Sequence, residues 1–179
     1  MKQKIVVVLY DASYQKLASS FHSGNDYLDR FLQIPDSLND NIGKTYILIF
    51  EDEKTIIGYF NLGVGYIEQA TDGITVRKIG GAIHINCLAL DEKYHGLQIH
   101  MDNGDKIRLS DILLDRCIQK IAEIRKKDVG FSFVTLSSTK AGYHLYLRNG
   151  FERLDEDMNF SIEESEDGCI QMYYAIDVE

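Results

Sequence analysis

Short stretches of alternating or β-branched apolar residues predict the strands of a sheet. In the first part of the chain these stretches are Lys4 to Tyr10, Thr45 to Phe50 and Thr55 to Tyr66. The second and third flank Asp52 and Glu53, so they predict an antiparallel pair joined by a turn. The later stretches are Val129 to Leu136 and Ile170 to Val178.

The stretch that ends in Leu88-Ala89-Leu90 has the clearest alternation. Successive side chains of a strand point to opposite faces. One predicted face carries Ile83, Ile85, Cys87 and Ala89, and the other carries His84, Asn86, Leu88 and Leu90. The first face is expected to be core, whereas His84 and Asn86 need polar partners on the second. Two interpretations of this pair stay open: hydrogen bonds across the sheet, or a functional site.

Apolar residues at helical spacing predict the helices. Tyr27, Leu28, Phe31 and Leu32 form one stripe, and Asp11 or Ser13 can cap a shorter helix before it. The longest predicted helix runs from Ser110 to about Lys126 and buries Leu109, Leu113, Cys117, Ile121 and Ile124. A last short helix follows Thr139 and stops at Asn149-Gly150. Strands and helices in this order predict an α/β protein.

Composition favours one globular domain over residues 1–179. Hydrophobic residues make up 45% and charged residues 26% of the 179, which is ordinary for a folded domain with a substantial core. No apolar run is long enough to span a membrane, and the N-terminal run is too short for a secretory signal, so a cytoplasmic protein is expected. Three widely spaced cysteines, Cys87, Cys117 and Cys169, indicate reduced thiols and no disulfide framework.

Charge limits the classes of partner. The net charge of −9 disfavours nucleic-acid binding, which depends on phosphate neutralisation by Lys and Arg. The acidic segment from Glu152 to Asp167 predicts a solvated hairpin, with a site for a cationic acceptor as the sharper alternative. No metal site is expected, because the five histidines lack helical ligand spacing and no Cys-x-x-Cys occurs.

Two motifs resemble those of the GCN5-related N-acetyltransferases (GNAT). Leu88-Ala89-Leu90 is similar to the triplet that ends the family's central strand, and Leu145 to Phe151 is similar to its Tyr-x-x-x-Gly-Phe segment. The resemblance covers most of the chain from about Thr45 onward. It implies the GNAT acyl-CoA N-acyltransferase fold, in which helices flank a mixed, mostly antiparallel central sheet. It also implies transfer of an acetyl group from acetyl-CoA to a primary amine, without a covalent intermediate.

The loop after the central strand departs from the family pattern. His95 and Gly96 match its beginning, but Gln98 and His100 occupy the two later positions for small residues. The preferred alignment treats Leu97 to Ile107 as an insertion and restarts the pattern at Arg108, with Ser110 as helix cap. Under the resemblance, the residues expected to bind acetyl-CoA are Leu88, Ala89, Leu90, His95, Gly96, Arg108, Leu109, Ser110 and Thr139.

The resemblance also implies catalytic roles. Tyr146 matches the family tyrosine that protonates the leaving thiolate, and a backbone N–H near Leu88 would polarise the thioester carbonyl. His84 matches the first histidine of a His-x-His pair in arylalkylamine acetyltransferases and is the candidate base, while Asn86 replaces the second. The amine acceptor, a small molecule or a protein, is not identified by any motif.

Two alternative functions stay open. The segment from Phe21 to Leu32 is similar to the opening of a GNAT branch that includes toxins acetylating aminoacyl-tRNA, although Ser23 replaces the branch's Cys. In that case tRNA would be a nucleic-acid partner despite the negative charge. The other alternative is a non-catalytic module that has lost cofactor binding through the altered loop. Exposed strand edges make a homodimer a further expectation.

Overall fold

The computed structural model describes residues 4–51, 55–100, 104–160 and 168–176. The strands are β1 (Ile5–Leu9), β2 (Lys44–Phe50), β3 (Ile56–Ala70), β4 (Val76–Leu90), β5 (Gln98–His100), β6 (Lys106–Arg108), β7 (Phe133–Ser138), β8 (Glu152–Arg153), β9 (Met158–Phe160) and β10 (Ile170–Ala175). The α-helices are α1 (Gln15–Ala18), α2 (Asp26–Gln33), α3 (Leu109–Lys127) and α4 (Tyr143–Arg148). Short 3-10 turns lie at Ala12–Tyr14, Pro35–Leu38 and Glu92–Tyr94.

Eight of these strands form one mixed sheet, which confirms the predicted fold class. Its order is β1-β2-β3-β4-β7-β10-β8, and β9 pairs with β3. β4 and β7 run parallel, whereas the pairs β1–β2, β2–β3, β7–β10, β8–β10 and β3–β9 are antiparallel. A parallel pair needs a crossover connection, and α3 lies in the segment that connects β4 to β7.

The chain divides into two compact units. The first comprises Met1–Leu62 with Cys87–Lys120, and the second comprises Gly63–Asn86 with Ile121–Glu179.

In the first unit, aromatic side chains of α2 and β3 form the centre of the core. The Phe21 ring meets the Tyr59 ring edge-on at 5.4 Å, and the Phe31 ring stacks on it at 6.3 Å. The Tyr59 hydroxyl donates a hydrogen bond to the Leu28 carbonyl over 2.7 Å. The buried polar tip is therefore satisfied, as a buried phenol requires.

Helix α2 follows the predicted stripe with one exchange. Phe31 and Leu32 are buried and Leu28 is half-buried, but Tyr27 is 55% exposed. Asp29 is buried instead, at 7% exposure. The prediction for Tyr27 is therefore wrong, and a carboxylate that needs partners occupies a core-facing position.

The β2–β3 pair forms as predicted, with Tyr46 opposite Phe60 and a register shift between Leu48 and Ile49. The predicted turn at Asp52 and Glu53 lies outside the described residues. β1 and the Asp11 cap are also confirmed, since the Asp11 carboxylate accepts a hydrogen bond from the Ser13 amide.

Helix α3 buries the predicted face near its start: Leu109, Leu113, Cys117 and Ile121, with Leu114 beside them. Ile124 is only half-buried. The helix begins at Leu109 directly after strand β6, so Ser110 lies inside the first turn. The prediction that Ser110 precedes and caps the helix is therefore wrong.

In the second unit, β7 begins at Phe133, not at the predicted Val129. The amides of Asp128 and Val129 both donate to the Ile124 carbonyl, so these residues close the end of α3. Val129 is 52% exposed as a result. The Asp128 and Val129 amides are used in hydrogen bonds that end the helix, so they are not available to pair with a strand.

The acidic segment does not form a hairpin within its described part. β8 pairs with β10, whereas β9 pairs with β3. Residues 161–167 of the prediction, and the predicted end of the last strand at Val178, lie outside the described residues. β10 itself confirms a strand from Ile170 that joins the sheet.

The central strand β4 is buried on both faces, contrary to the single core face expected from its alternation. Ile83, Ile85, Cys87 and Ala89 are buried, and so are His84 and Leu90 on the other face. β4 lies between β3 and β7 in the sheet order, which explains why neither face is solvated.

The three cysteines lie in the described part of the chain. Cys87 and Cys117 are free buried thiols, and Cys169 is free and half-buried. Burial raises the pKa of the Cys87 thiol to about 12, so it remains protonated at neutral pH. Among the described residues, no helix is long and apolar enough to cross a membrane.

Candidate active site

His84, the candidate base, lies in the second unit on strand β4, which pairs with strand β7. It is opposite Thr135 in the parallel register, and its Nδ1 lies 2.8 Å from the Thr135 hydroxyl oxygen. The Phe160 ring packs edge-on against the imidazole at 5.6 Å. Burial lowers the pKa of His84 to about 4, so the ring is neutral at pH 7.

These contacts agree with one of the two interpretations of His84, in which the side chain forms a hydrogen bond across the sheet. A base works best when its pKa is close to the operating pH, and a pKa near 4 makes the imidazole a weak one. Asn86, the second candidate on this face, is half-buried.

Tyr146, the candidate acid, is the buried residue of helix α4, with 8% of its surface exposed. Its ring meets the Phe151 ring edge-on at 5.7 Å. The space beside it is narrow, because a Cβ on Gly142 would lie 3.4 Å from Tyr146 Cε2 and 3.3 Å from Ser138 Oγ. The predicted stop of α4 is confirmed, since Gly150 follows it with φ +87°.

The neighbouring tyrosine of the same helix has a different environment. The Tyr143 hydroxyl accepts a hydrogen bond from Arg153 Nε over 3.3 Å, and the guanidinium lies 5.0 Å from the centre of its ring. This contact is exposed at the surface. Burial therefore distinguishes Tyr146 from Tyr143 on one helix.

Thr139, expected to bind the pantetheine arm, supports the turn between β7 and α4. The Gly142 amide lies 3.2 Å from the Thr139 hydroxyl oxygen and 3.1 Å from its carbonyl oxygen, and can donate to both. Thr139 itself is half-buried. Its hydroxyl thus has a structural partner in the turn that leads to Tyr146.

In the first unit, the turn after β4 contains His95 and Gly96. His95 Nε2 lies 3.0 Å from the Leu90 carbonyl oxygen. A carbonyl can only accept, so Nε2 carries the proton and the ring braces the end of the strand. Gly96 has φ +72°, and a Cβ there would meet no atom within 4 Å.

The proposed insertion is a β-hairpin. β5 pairs with β6, from Gln98 opposite Arg108 to His100 opposite Lys106. The Leu109 amide donates to the Leu97 carbonyl over 3.0 Å, which closes the base of the hairpin and brings the Gly96 turn to the start of α3. Residues 101–103 lie outside the described residues. The hairpin explains how Gln98 and His100 can occupy the motif's spacing without lying in the loop itself.

The start of α3 is the part of this unit that fits an anionic ligand. The helix has 19 residues, and the N–H groups of a first turn together with the helix dipole favour negative charge. Arg108 is exposed and directly precedes the helix. Asp111 in the first turn acts in the opposite direction, because its carboxylate repels a phosphate.

A cluster that sequence reasoning missed lies beside the turn after β4. His22 contacts Asp91 through a hydrogen bond and lies 4.0 Å from Glu92, and Asp29 of α2 forms hydrogen bonds with both His22 and Ser23. The sequence contained one indication of it, a carboxylate next to Leu28 and two residues before Phe31 on a helix whose apolar stripe was recognised.

The acidic segment borders a surface cleft in the second unit. Its volume is about 450 Å³, and its lining includes Arg153, Asp155, Glu156, Met158 and Cys169. The charged groups of this lining are the Asp155 and Glu156 carboxylates and the Arg153 guanidinium. In the part of the chain that the structure describes, no group of three or more His, Cys, Asp or Glu side chains could hold a metal ion.

No protein-family model matches the chain, and no curated protein matches it in sequence. Solved structures do match. The crystal structure of a bacterial toxin has a TM-score of 0.69 at 19% identity, covering 97% of this chain and 91% of that one. A tyrosine-to-phenylalanine mutant of the toxin AtaT, bound to the C-terminus of the antitoxin AtaR, has a TM-score of 0.63 at 19% identity, covering 88% and 90%.

A third similar structure is the GNAT family N-acetyltransferase YhbS from Escherichia coli in complex with CoA. It has a TM-score of 0.55 at 14% identity and covers 98% of this chain and 83% of that one. Identities this low show the fold alone. The chain has the GNAT fold, as the two motifs predicted.

Proposed function

We propose that this chain is an acetyl-CoA-dependent N-acetyltransferase that transfers the acetyl group directly to a primary amine. The observation that carries the proposal is the position of Tyr146, a buried tyrosine on α4 of a chain with the GNAT fold. N-acetyltransferases and toxins have this fold, and YhbS has it in complex with CoA. The acceptor is a small molecule or a protein amine.

In the proposed reaction the amine nitrogen attacks the acetyl carbonyl carbon, the carbon–sulfur bond breaks, and the sulfur leaves with its electron pair. The Tyr146 hydroxyl would supply the proton that the sulfur takes. A backbone N–H near Leu88 would stabilise the negative charge that develops on the carbonyl oxygen. No cysteine is required, in keeping with the buried, protonated Cys87.

The amine must lose a proton, and His84 is the candidate that the resemblance supplies. Its burial and low pKa make it a weaker base than the family pattern implies. In this proposal His84 accepts the proton of the amine through a chain of water molecules. Its Nδ1 contact with Thr135 fixes the orientation of the ring in either role.

The start of α3 would hold the pyrophosphate of acetyl-CoA. The first turn of α3 beyond Leu109, which includes Ser110, and the Arg108 guanidinium would supply donors, while the Leu109 amide holds the hairpin base through Leu97. Gly96 leaves open space beside the hairpin base. Leu88, Ala89 and Leu90 would contact the cofactor along the end of β4. His95 would hold the end of that strand, and Thr139 would contact the pantetheine arm.

Calorimetry of the purified protein with acetyl-CoA, CoA and ADP tests this proposal first. Micromolar binding, about −8 kcal/mol, is the expected result. A folded sample without detectable binding would instead favour the non-catalytic module.

A matched pair of variants then tests the acid. Tyr146→Phe should lower kcat about a hundredfold while acetyl-CoA affinity stays the same, since only the proton donor is lost. Tyr143→Phe, on the same helix, should retain activity. Equal effects of the two changes would contradict the role of Tyr146.

A second candidate is a toxin that acetylates aminoacyl-tRNA, favoured by the structural similarity to bacterial toxins. AtaT is bound by the antitoxin AtaR, so an antitoxin is the partner proposed for this case. The segment from Phe21 to Leu32 supports this candidate less than its sequence suggested, because Phe21, Phe31 and Leu32 are core residues of the first unit. Expression in bacteria that leaves growth and translation unchanged would exclude this candidate.

A further inference from the structure

Two buried carboxylates form hydrogen bonds with the dipeptide His22-Ser23. Asp29 of α2 is 7% exposed and accepts hydrogen bonds from the Ser23 amide at 2.7 Å and the Ser23 hydroxyl at 2.6 Å. Asp91, the residue after β4, is 1% exposed and accepts from the His22 amide at 3.2 Å. The dipeptide therefore connects α2 to the turn that follows the central strand.

The backbone of the same turn also forms a hydrogen bond with His22. The Glu92 amide donates to the His22 carbonyl over 2.8 Å, next to the bond in which the His22 amide donates to Asp91. The Asp91 carboxylate also accepts a hydrogen bond from the Lys93 amide at 3.1 Å. One carboxylate therefore orders both the turn and the backbone of His22. The backbone of His22 is thus fixed by the turn that begins the loop containing His95 and Gly96.

The imidazole adds contacts to both sides. Nδ1 lies 2.5 Å from an Asp29 carboxylate oxygen, and Nε2 lies 4.0 Å from Glu92 Oε2. The ring is exposed, unlike the carboxylate of Asp29 behind it. Because a carboxylate only accepts, Nδ1 carries a proton in either charge state, and Nε2 gains one when the ring titrates.

We propose that His22 is a positioning residue that ties the Asp91–Gly96 turn to helix α2, and that protonation of its ring strengthens the tie. The consequence for the proposed function is that the strand end of the cofactor loop is held more firmly at acidic than at alkaline pH. Only this consequence rests on the proposed acetyl-CoA binding.

The charged groups around His22 support the direction of the effect. They are Asp26 and Asp29 on α2, and Asp91, Glu92 and Lys93 on the turn; Lys93 Nζ lies 3.9 Å from Asp91. The hydrogen bond to Asp29, then the charges of Glu92 and Asp29, raise the pKa of His22 above its ordinary 6.5. A raised pKa means that the added hold is complete below about 6.5 and is lost as the pH rises through the folded-state value.

Amide hydrogen exchange without any ligand tests the tie itself. The measured quantity is the protection factor of the Glu92 to His95 amides between pH 6 and pH 9, which corrects for the intrinsic pH dependence of exchange. Wild-type protection should fall about threefold to tenfold over this range, as expected for one charge-assisted contact at an exposed site.

Two variants separate the parts of the contact. His22→Asn keeps a side-chain N–H near the position of Nδ1 but cannot be protonated, so its protection should not change with pH. His22→Ala should show low protection at every pH, with the amides of Leu113 to Cys117 in α3 as the control for folding. If His22→Ala fails to fold, His22→Asn alone decides.

A pH dependence of equal size in wild type and His22→Asn would overturn the proposal, as would full protection in His22→Ala. The cofactor arm is separate: the ratio of CoA dissociation constants for His22→Asn and wild type should rise about threefold at pH 6 and approach one at pH 9. Absence of CoA binding in both proteins would count against the proposed function, while the exchange result would still decide the tie.

Discussion

His22 and His84 lie in regions of opposite character, and their pKa values move in opposite directions. His84 is enclosed in the sheet of the second unit, with a hydroxyl and an aromatic ring as neighbours, and its pKa falls to about 4. His22 is at the surface of the first unit beside the carboxylates of Asp26, Asp29, Asp91 and Glu92, and its pKa rises. A hydroxyl cannot replace the hydration of a buried cation, whereas carboxylates stabilise a cation that water also reaches.

The comparison changes how the two residues are interpreted. Resemblance pointed to His84 as the base and gave His22 no role. The contacts make His84 a neutral residue that links β4 to β7, and they give His22 carboxylate partners that raise its pKa and favour its charged form. Variants of the two residues and of their partners test this contrast.

The largest effect is expected from His84→Ala. It removes a buried ring from between Thr135 and Phe160 and leaves a cavity and an unpaired hydroxyl, at a cost of about 4 kcal/mol of unfolding free energy. Urea denaturation measures this cost. His144→Ala, which removes an exposed ring from α4, is the control and should change stability by less than about 0.5 kcal/mol.

The second-largest effect is expected from lowering the pH, which should reduce the stability of the fold that buries His84. The unfolded chain binds this proton near pH 6.5 and the folded chain only near 4, so stability should fall by about 3 kcal/mol as the pH drops between these values. His84→Gln should remove that part of the loss in urea titrations at several pH values. In NMR titrations His84 should still be neutral at pH 5.5, where His22 is protonated; simultaneous titration would refute the contrast.

Asp29→Asn tests the other side of the comparison. The amide cannot accept as many hydrogen bonds from His22 and Ser23 as the carboxylate does, so a loss of about 2 kcal/mol is expected. The pKa of His22 should also return toward 6.5. Asp26→Asn, an exposed change on the same helix, should move both quantities less.

The smallest effect should come from Ser23→Ala. It removes one hydrogen bond to Asp29 and the acceptor of the Asn25 amide, and leaves the other two bonds to Asp29 in place, for a loss of about 1 kcal/mol. Ser20→Ala removes a hydroxyl bond to the Leu17 carbonyl at the surface and is the matched control. A larger loss for Ser20→Ala would show that burial of the Asp29 cluster contributes little.

Much of the fold could be predicted from local patterns. The strands β1, β2 and β10 and the helix α3 were recognised from β-branched runs or from a stripe at helical spacing. Boundaries were less predictable. The chain at Val129 has strand composition, but the Val129 amide donates to the Ile124 carbonyl at the end of α3. The sequence shows no preference between this helix bond and a bond to a neighbouring strand.

The candidate site was predictable in its parts more than in their environments. Tyr146 is distinguished by its spacing from Gly150-Phe151, and the structure adds that it is the buried tyrosine of α4. The insertion after Gly96 was inferred from a broken motif, and the hairpin with its closing Leu109–Leu97 bond gives it a structure. Whether these residues bind acetyl-CoA stays a prediction that the calorimetry tests.

Local patterns in the chain were enough to predict the class of fold, because alternation and helical spacing are properties of neighbouring residues that every strand or helix must satisfy. The spacing of the second motif likewise identified the candidate acid. The surroundings of each polar side chain, in contrast, became known from the folded structure. Asp29 and Asp91 are far apart in sequence but contact the same dipeptide. Burial and charge partners set a pKa, and both come from residues distant along the chain, so the roles of His22 and His84 could be separated only in the folded protein.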